Sequence, residues 1–127
     1  MGEQADRAGP DPLLMLRRVP HGPDLVVVVA TGEIDLVTAP LLSRELAAAS
    51  SPVVVLDLAE VTFLAAAGLT VLLSAKQRAS AAGSRFGLVG ATPAVRRVLE
   101  VTGIAELMPC HRTLEAVIRE LVVTAPD

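Results

Sequence analysis

The sequence predicts a single α/β domain with a mixed, mostly parallel sheet of about five strands and about four helices. Two observations support this prediction. Residues 25–30 (LVVVVA) and 53–58 (VVVLDL) are continuously apolar and largely β-branched, which is typical of strands that are buried on both faces. After the first two strands, helical and strand patterns alternate, and this alternation favours parallel strands joined by right-handed crossovers.

The predicted strands and helices follow the order β-β-α-β-α-β-α-β-α. Residues 13–19 are mainly apolar but include two arginines, which indicates an edge strand, and residues 20–24 (PHGPD) have the composition of a turn. The two buried runs come next as central strands. Two short edge strands are predicted further along, over residues 85–89 (RFGLV) and 107–110.

The first two helices are predicted from capping signals and apolar stripes. Thr38 followed by Pro40 is typical of an N-cap and a first helical turn. The second helix is predicted over residues 68–82, and Gly83 is expected to end it. One side of this helix carries the spacing i, i+3, i+4 and i+7, with three apolar members of four: Leu69, Leu72, Leu73 and Lys76.

The last two helices follow from similar patterns. Thr92-Pro93 begins the third helix, and Gly103 is expected at its end. A fourth helix is predicted over residues 113–123, where the inward side is Leu114, Val117, Ile118 and Leu121.

Length and composition indicate one compact unit. The chain has 127 residues, of which 52 % are hydrophobic and 20 % charged, enough apolar material for a core of Val, Leu, Ile and Ala. Residues 1–12 (MGEQADRAGPDP) are polar and contain Gly and Pro, so we expect a flexible leader. The domain is then expected over residues 13–123, with a short tail at 124–127.

Several function classes are disfavoured by composition. The net charge is −3 and the basic residues are scattered, whereas nucleic-acid binding requires a basic stripe. Cys110 is the only cysteine, so an intramolecular disulfide and Cys-rich zinc sites are excluded, and Cys110 beside His111 is interpreted as a strand end next to a surface histidine. No run approaches the about 20 apolar residues of a membrane-spanning helix, so we expect no membrane insertion and a cytoplasmic location.

Catalytic and metal sites are not indicated. His21 and His111 are the only histidines, and the sequence has no nucleophile elbow and no phosphate-binding loop. Glu33, Asp35 and Asp57 lie near predicted strand ends and form one alternative, a Mg²⁺ site. The favoured interpretation places Asp35 in a turn, leaves Glu33 exposed and gives Asp57 local backbone hydrogen bonds. We therefore predict no catalytic residues, no metal and no cofactor.

Three segments in order resemble a STAS domain, specifically the anti-sigma-factor antagonists of bacterial partner-switching systems. They are residues 32–42 (GEIDLVTAPLL), 53–73 (VVVLDLAEVTFLAAAGLTVLL) and 86–108 (FGLVGATPAVRRVLEVTGIAELM). The resemblance extends over about residues 13–123. It implies the STAS fold for this chain.

The resemblance also implies a phosphorylation switch that this chain lacks. In the family, an anti-sigma factor that is also a serine kinase phosphorylates a serine in a motif of the form Phe-(Ile/Met/Leu)-Asp-Ser-(Ser/Ala)-Gly-Leu. Here Phe63 and Gly68 match, but Ala65 stands in place of Asp and Ala66 in place of the phosphoacceptor Ser. Two origins are compatible with the alanines: neutral drift in a domain that no longer switches, and engineering.

By resemblance, the chain is expected to be a protein-binding regulator of transcription whose partner is an anti-sigma factor of the serine-kinase type. The implied partner-binding residues are Glu33, Asp35, Thr38, Ala65, Ala66, Ala67, Gly68 and Leu69. Two alternatives stay open, a docking module of a lipid-transport ATPase or stress-signalling scaffold, and a nucleotide-binding module. The sequence also leaves open whether the chain forms a homodimer.

Overall fold

The structure, a computed structural model, describes residues 13–123, and it contains one five-stranded sheet with the strand order β1-β2-β3-β4-β5. β1 is antiparallel to β2, and every other neighbouring pair is parallel. The predicted leader and tail lie outside the described residues. The strands are β1 (Leu14–Pro20), β2 (Leu25–Ile34), β3 (Val53–Leu64), β4 (Arg85–Val89) and β5 (Cys110–His111).

Five helices accompany the sheet in the described part of the chain. They are α1 (Ala39–Ala48), α2 (Ala66–Ala82), α3 (Pro93–Val101), α4 (Ile104–Leu107) and α5 (Leu114–Val123). The predicted α/β class and mostly parallel sheet are confirmed. The four-residue helix α4 was not predicted, because one helical turn contains too few residues to show a periodic pattern.

The continuous apolarity of β2 reflects burial on both of its faces. Val26, Val28 and Ala30 belong to a large apolar cluster that also contains side chains of α1 to α4. Val27 and Val29 point to the opposite face and belong to a smaller cluster that includes Val117 of α5. The sheet is therefore covered by four helices on one face and by α5 on the other.

Several predicted boundaries were wrong, and the sheet explains the differences. β3 continues to Leu64, six residues past the predicted end, because it keeps pairing with the extended end of β2. β4 is an inner strand, since the two-residue β5 forms the edge beside it. Leu107, predicted to start that edge strand, instead ends α4.

The inward side of α2 also differs from the predicted stripe. The buried residues of this helix are Gly68, Val71, Leu72 and Ala75. Leu69 and Leu73 are only half-buried at the edge of the core, as is the predicted fourth member, Lys76. Within residues 66–73 only Thr70 is polar, so the apolar pattern there could not distinguish the buried side from Leu69 and Leu73.

The helix ends show which capping signals work as predicted. The Thr92 hydroxyl accepts a hydrogen bond from the Val95 backbone N–H at 3.3 Å and so caps α3. Gly83 ends α2 with a φ of 75°, in the left-handed region that favours glycine. Thr38 precedes α1 but makes no side-chain cap, because its hydroxyl is used elsewhere.

Gly32 permits Leu13, just before β1, to lie close to the backbone of β2. Its φ is 120°, and a Cβ built on it would lie 2.1 Å from the Leu13 carbonyl oxygen. That same oxygen accepts a hydrogen bond from the Glu33 backbone N–H at 2.7 Å. A side chain at residue 32 would therefore push β1 away from β2 and break this contact.

We predict that Gly32→Ala lowers the free energy of unfolding by roughly 2 to 5 kcal/mol, the sum of the strain of a positive φ and the cost of overpacking. The matched control is Gly22→Ala, where φ is 83° and no heavy atom lies within 4 Å of the added Cβ. Urea denaturation measures the free energy of unfolding of both variants. Gly22→Ala reports the strain of a positive φ alone, whereas Gly32→Ala adds the steric clash with Leu13. Equal losses in the two variants would contradict this account.

Candidate functional site

The ends of β2 and β3 bring the two predicted site segments together. In the parallel register Glu33 lies beside Phe63, and Ile34 lies beside Leu64. The pairing continues one step beyond the strand, where the Ala65 backbone N–H donates to the Ile34 carbonyl oxygen at 2.8 Å. The loop after β2 and the start of α2 therefore occupy one end of the sheet.

Residues 35–38, here called the apical loop, are held by a hydrogen-bond network of their own. The Asp35 Oδ1 atom accepts the backbone N–H groups of Val37 and Thr38, each at 3.0 Å. The Thr38 hydroxyl accepts the Asp35 backbone N–H at 2.9 Å and donates to the Glu33 carbonyl oxygen at 2.8 Å. Three of the loop's four backbone N–H groups thus pair within the loop, and the Thr38 hydroxyl ties the loop to Glu33.

Thr38 is the central member of this network. It is the one polar side chain classed as buried among the described residues. A buried hydroxyl without partners destabilises a fold, and here the network supplies both an acceptor and a donor. The sequence pattern was interpreted as an N-cap, whereas the hydroxyl in fact ties the loop back to the end of β2.

The hydrogen bonds of the apical loop also shift the acidity of Asp35. The backbone N–H of Thr38 contributes most to lowering the pKa of this carboxyl below its ordinary value of 3.8, and the Thr38 hydroxyl and the Val37 N–H lower it further. Partial desolvation opposes these effects. Asp35, expected to contact a partner, therefore uses its Oδ1 atom inside the loop.

The three alanines, called the alanine junction (residues 65–67), form the entry to α2. Ala65 is the N-cap, and it has no side-chain atom that accepts a hydrogen bond from the first turn. Alanine at an N-cap costs about 1 kcal/mol relative to Asp or Ser. Ala66 is exposed, whereas Ala65 and Ala67 are half-buried. Ala66 is therefore the member of the alanine junction that faces solvent.

Gly68 and Leu69 follow the junction and serve packing. Gly68 is buried, and a Cβ built on it would lie 2.6 Å from both Ile34 Cγ2 and Leu64 Cδ1. Leu69 is half-buried and packs against the large cluster. These two residues hold the helix on the strand ends, so they shape the site from beneath.

Two neighbouring hydroxyls are exposed but occupied. The Thr62 hydroxyl donates to the Gly32 carbonyl oxygen at 3.3 Å, within β3. The Thr70 hydroxyl donates to the Ala66 carbonyl oxygen at 3.3 Å, one turn into α2. Neither of them stands at the helix entry, where Ala66 lies.

The strongest feature of this end of the molecule was missed by sequence reasoning. Leu36 and Val37 are 79 % and 78 % exposed, and Phe63 is 52 % exposed. With the partly exposed Leu41 they form what we call the apical surface. The signal that was missed is the pair Leu36-Val37 between Asp35 and Thr38. Two apolar residues inside a short hydrogen-bonded turn cannot both reach the core, so their side chains point to solvent. Exposed apolar groups gathered at one end of a domain are typical of an interaction surface.

The charge of the apical surface is one-sided. Residues 32–38 and 62–70 contain two acidic residues, Glu33 and Asp35, and neither lysine nor arginine. Glu33 is half-buried at the strand end. The surface is therefore apolar with an acidic border.

The other candidate residues do not join this site. The Asp57 Oδ1 atom accepts the Ala59 backbone N–H at 2.9 Å, the local bond that was expected. Among residues 13–123 no group of three or more His, Cys, Asp or Glu side chains could hold a metal ion. Glu33, Asp35 and Asp57, the residues of the Mg²⁺ alternative, therefore do not form a metal-binding group in this part of the chain.

Cys110 and His111 lie at the sheet edge, away from the apical surface. Burial raises the pKa of the Cys110 thiol, and its sulfur is 3.4 Å from the Ala91 backbone nitrogen. A thiol with a raised pKa is a poor nucleophile at neutral pH. His111 was expected to be a surface residue, but it is half-buried and its Nε2 atom contacts Glu120 Oε1.

Across the described residues, no helix has both the length and the apolar character required to cross a membrane.

Comparison with known proteins places this geometry in context. A family model described as "Mlab, STAS domain" matches residues 18–109. The chain is 33 % identical to an anti-sigma factor antagonist from Mycobacterium paratuberculosis, with a TM-score of 0.77 over 89 % of this chain and 97 % of that one. No protein of curated function matches this chain in sequence.

Two more distant structures share the fold. One is the Bacillus cell fate determinant SpoIIAA in its phosphorylated form, at 18 % identity and a TM-score of 0.64, covering 84 % of this chain and 98 % of SpoIIAA. The other is the murine anion transporter Slc26a9, at 12 % identity and a TM-score of 0.69. That match covers 83 % of this chain but only 19 % of the transporter, so the same fold occurs alone and as part of a much larger protein.

We predict a specific pH dependence from Asp35. Because its folded-state pKa is lowered, the ionised carboxylate stabilises the fold above pH 3.8, and this contribution is lost as the pH falls through the lower folded-state pKa. Urea denaturation should show Asp35→Asn less stable than the natural chain near neutral pH. The difference should shrink to nothing in acid.

The matched control is Asp24→Asn, at an exposed aspartate in the turn between β1 and β2. This variant removes the same charge outside the apical loop and should leave the free energy of unfolding near neutral pH close to that of the natural chain. A gap between Asp35→Asn and the natural chain that persists unchanged into acid would exclude the carboxylate charge as its cause.

Proposed function

The chain belongs to the STAS-domain family, and we propose that it is an anti-sigma-factor antagonist that regulates transcription by binding a kinase-type anti-sigma factor. The observation that supports this proposal most directly is the apical surface, where Leu36 and Val37 are presented to solvent by a rigid loop. A similar protein of this fold, from Mycobacterium paratuberculosis, is described as an anti-sigma factor antagonist. The proposed action is binding, with no catalytic step of its own.

The apical loop suits binding because it is ordered before a partner arrives. Asp35 and Thr38 accept hydrogen bonds from three of the loop's four backbone N–H groups, so these donors are already paired when Leu36 and Val37 are buried. Preorganisation also reduces the conformational entropy lost on association. In this proposal Leu36 and Val37 are the anchors, with Phe63 and the alanine junction beside them.

The chemistry of the apical surface defines the partner face. An apolar patch with an acidic border matches an apolar patch bordered by lysine or arginine. Glu33 is the acidic residue that we propose for such a charged contact. Ala65, Ala66 and Ala67 present no large side chains, which permits close approach of the partner's backbone to the start of α2. Gly68 and Leu69 contribute by holding this helix in place.

We further propose that phosphorylation cannot release the partner through the alanine junction. SpoIIAA, which shares the fold, exists in a phosphorylated form. A phosphoserine at an interface adds about 1.5 to 2 negative charges there, and the partner surface would have to accommodate them. Ala66 has no hydroxyl, so this route is closed and the proposed complex is constitutive in a bacterial partner-switching system.

A second candidate function is a permanent docking module of a larger assembly, such as a lipid-transport ATPase or a signalling scaffold. The absence of a hydroxyl at all three positions of the alanine junction favours it, because permanent docking requires no switch. Affinity capture from the native cell distinguishes the two functions. An anti-sigma factor supports the first, and a transporter ATPase or scaffold subunit supports the second.

We predict that Leu36→Asp weakens binding of the anti-sigma partner by at least about 2 kcal/mol, or roughly 30-fold in Kd, as expected for loss of an interface anchor. The fold should be unaffected, since Leu36 is 79 % exposed. Isothermal titration with candidate anti-sigma factors measures the change, and thermal denaturation checks the fold.

Val101→Asp is the matched control for this substitution. Val101 is 72 % exposed and ends α3, outside the apical surface. It should bind with unchanged affinity. Equal weakening by both substitutions would mean that the partner does not dock on the apical surface.

We predict that a partner kinase with radiolabelled ATP leaves residues 62–70 of the natural chain unmodified and phosphorylates Ala66→Ser in this segment. Phosphorylation should then weaken the complex, because the new charge lies at the interface. Peptide mapping by mass spectrometry locates the phosphate, and titration before and after the reaction measures the loss of affinity.

The control is Ala82→Ser, the same exchange at the far end of the same helix, where no phosphate is expected. Phosphate on Thr62 or Thr70 of the natural chain would overturn the proposal that this segment cannot be switched.

A further inference from the structure

A cavity of about 790 Å³ lies at the opposite end of the sheet from the apical surface. We call it the basal cavity. It opens between the last turns of α1 and α2, above the first residues of β3 and β4. Its volume falls in the range of about 300 to 1,000 Å³ that is usual for small-molecule sites.

The floor of the basal cavity is apolar. It is formed by five residues of the large cluster, Leu46, Ala49, Val54, Ala75 and Phe86. The walls are mainly alanine and serine, because the ends of both helices carry short side chains there. These short side chains leave an open channel above the apolar floor. We expect a flexible alkyl chain to follow this channel better than a rigid ring system.

The charged lining of the basal cavity has a single sign. Arg78 and Arg85 line it, and no Asp or Glu does so among the described residues. The carboxyl ends of α1 and α2 also lie at its rim, and each contributes a partial charge of about −0.5. Two full positive charges exceed this sum, so the cavity attracts an anion.

Arg85 provides a donor that the fold leaves unused. Its Nε atom is the one buried side-chain nitrogen or oxygen without a hydrogen-bond partner among the described residues. Arg85 also lines a second, smaller cavity of about 240 Å³ together with Lys76 and Glu120. A buried donor without a partner is costly, and a ligand oxygen that reaches it removes that cost.

A carboxylate is the group that best fits this donor. Nε and one terminal nitrogen of a guanidinium form the side-on fork that binds both oxygens of a carboxylate. A small local movement of the Arg85 side chain would bring Nε into contact with such a group. The apolar floor then extends away from the charged head toward α1.

We propose that the basal cavity binds a medium-chain alkyl carboxylate, with its head group paired side-on with Arg85 and its chain lying between α1 and α2 over Val54 and Phe86. Arg78 at the rim adds long-range attraction. The inference does not depend on the proposed regulatory function, because the basal and apical features lie at opposite ends of the sheet.

The test is an amide NMR titration of the full chain with decanoate, together with octanoate and hexanoate, below their micelle concentrations. Signals of Gly83, Ser84 and Phe86 should shift, whereas those of the apical loop should not. Affinity should rise about fourfold for each added methylene group while the chain still fits, the factor expected for burial of one CH₂.

Arg85→Gln should weaken decanoate binding at least about tenfold, the loss expected for a charge-assisted bond. Arg97→Gln, at an exposed arginine of α3, is the matched control and should bind normally. Ala79→Leu is a second variant that fills the cavity while leaving Arg85 intact, and it should weaken decanoate more than hexanoate.

Four results would overturn the proposal. They are the absence of any shift with decanoate, equal affinity of Arg85→Gln and the natural chain, equal binding of decanol and decanoate, and binding of acetate or inorganic phosphate as tight as that of decanoate. The third result would indicate a purely apolar groove. The fourth would indicate an anion site without a chain pocket.

Discussion

The close approach of α2 to the ends of β2 and β3 is the constraint on which the rest of the structure depends. A Cβ atom added at Gly68 would lie 2.6 Å from side-chain atoms of Ile34 and Leu64. The backbone of α2 is therefore as close to the two strand ends as a glycine permits. The Ala65 N–H bond to the Ile34 carbonyl oxygen sets the direction in which the chain enters the helix. Both strand ends are thereby extended to Ile34 and Leu64, and the apical loop must begin there.

Once the strand ends are fixed, the apical loop has little freedom. Its backbone groups cannot pair with another strand, so Asp35 and Thr38 supply the missing acceptor and donor. The same turn leaves Leu36 and Val37 exposed, whereas Ile34 before the loop and Leu42 after it are both fully buried. Exposure of two apolar side chains is thus a consequence of how the loop satisfies its polar groups, and binding is the use that we propose for it.

Much of the fold could be predicted from the sequence, because its signals are local or strongly periodic. The β-branched runs at 25–30 and 53–58, the cap at Thr92 and the stop at Gly83 each depend on a few adjacent residues. The buried side of α2 could not be predicted, since the choice between Leu69 and Val71 depends on where Gly68 meets the strands. The bounds of β5 were predicted wrongly, because a strand of two residues has no sequence pattern of its own and exists only through its hydrogen bonds to β4.

The candidate site could be predicted less completely than the fold. The resemblance placed Asp35, Thr38 and the alanine junction at one location, and the structure does bring them together. It could not show that Thr38 and Asp35 bind each other, because such a network depends on the turn geometry. Nor could composition show that Leu36, Val37 and Phe63 are exposed in a chain that is 52 % hydrophobic.

The alanine junction lacks two polar groups that the entry of this helix could carry. A polar residue at the Ala65 position would cap α2, and a hydroxyl at Ala66 is the phosphate acceptor that we propose, yet neither group is needed to hold the helix in place. Gly68 and Leu69 do that through packing, which is indifferent to charge. The apolar anchors of the apical loop are attached to β2 and α1, so they too are independent of the junction's polarity. A chain of this fold can therefore lack a polar cap and a hydroxyl at these two positions without losing the surface that we propose for binding. Regulation and recognition are then separate properties of adjacent residues.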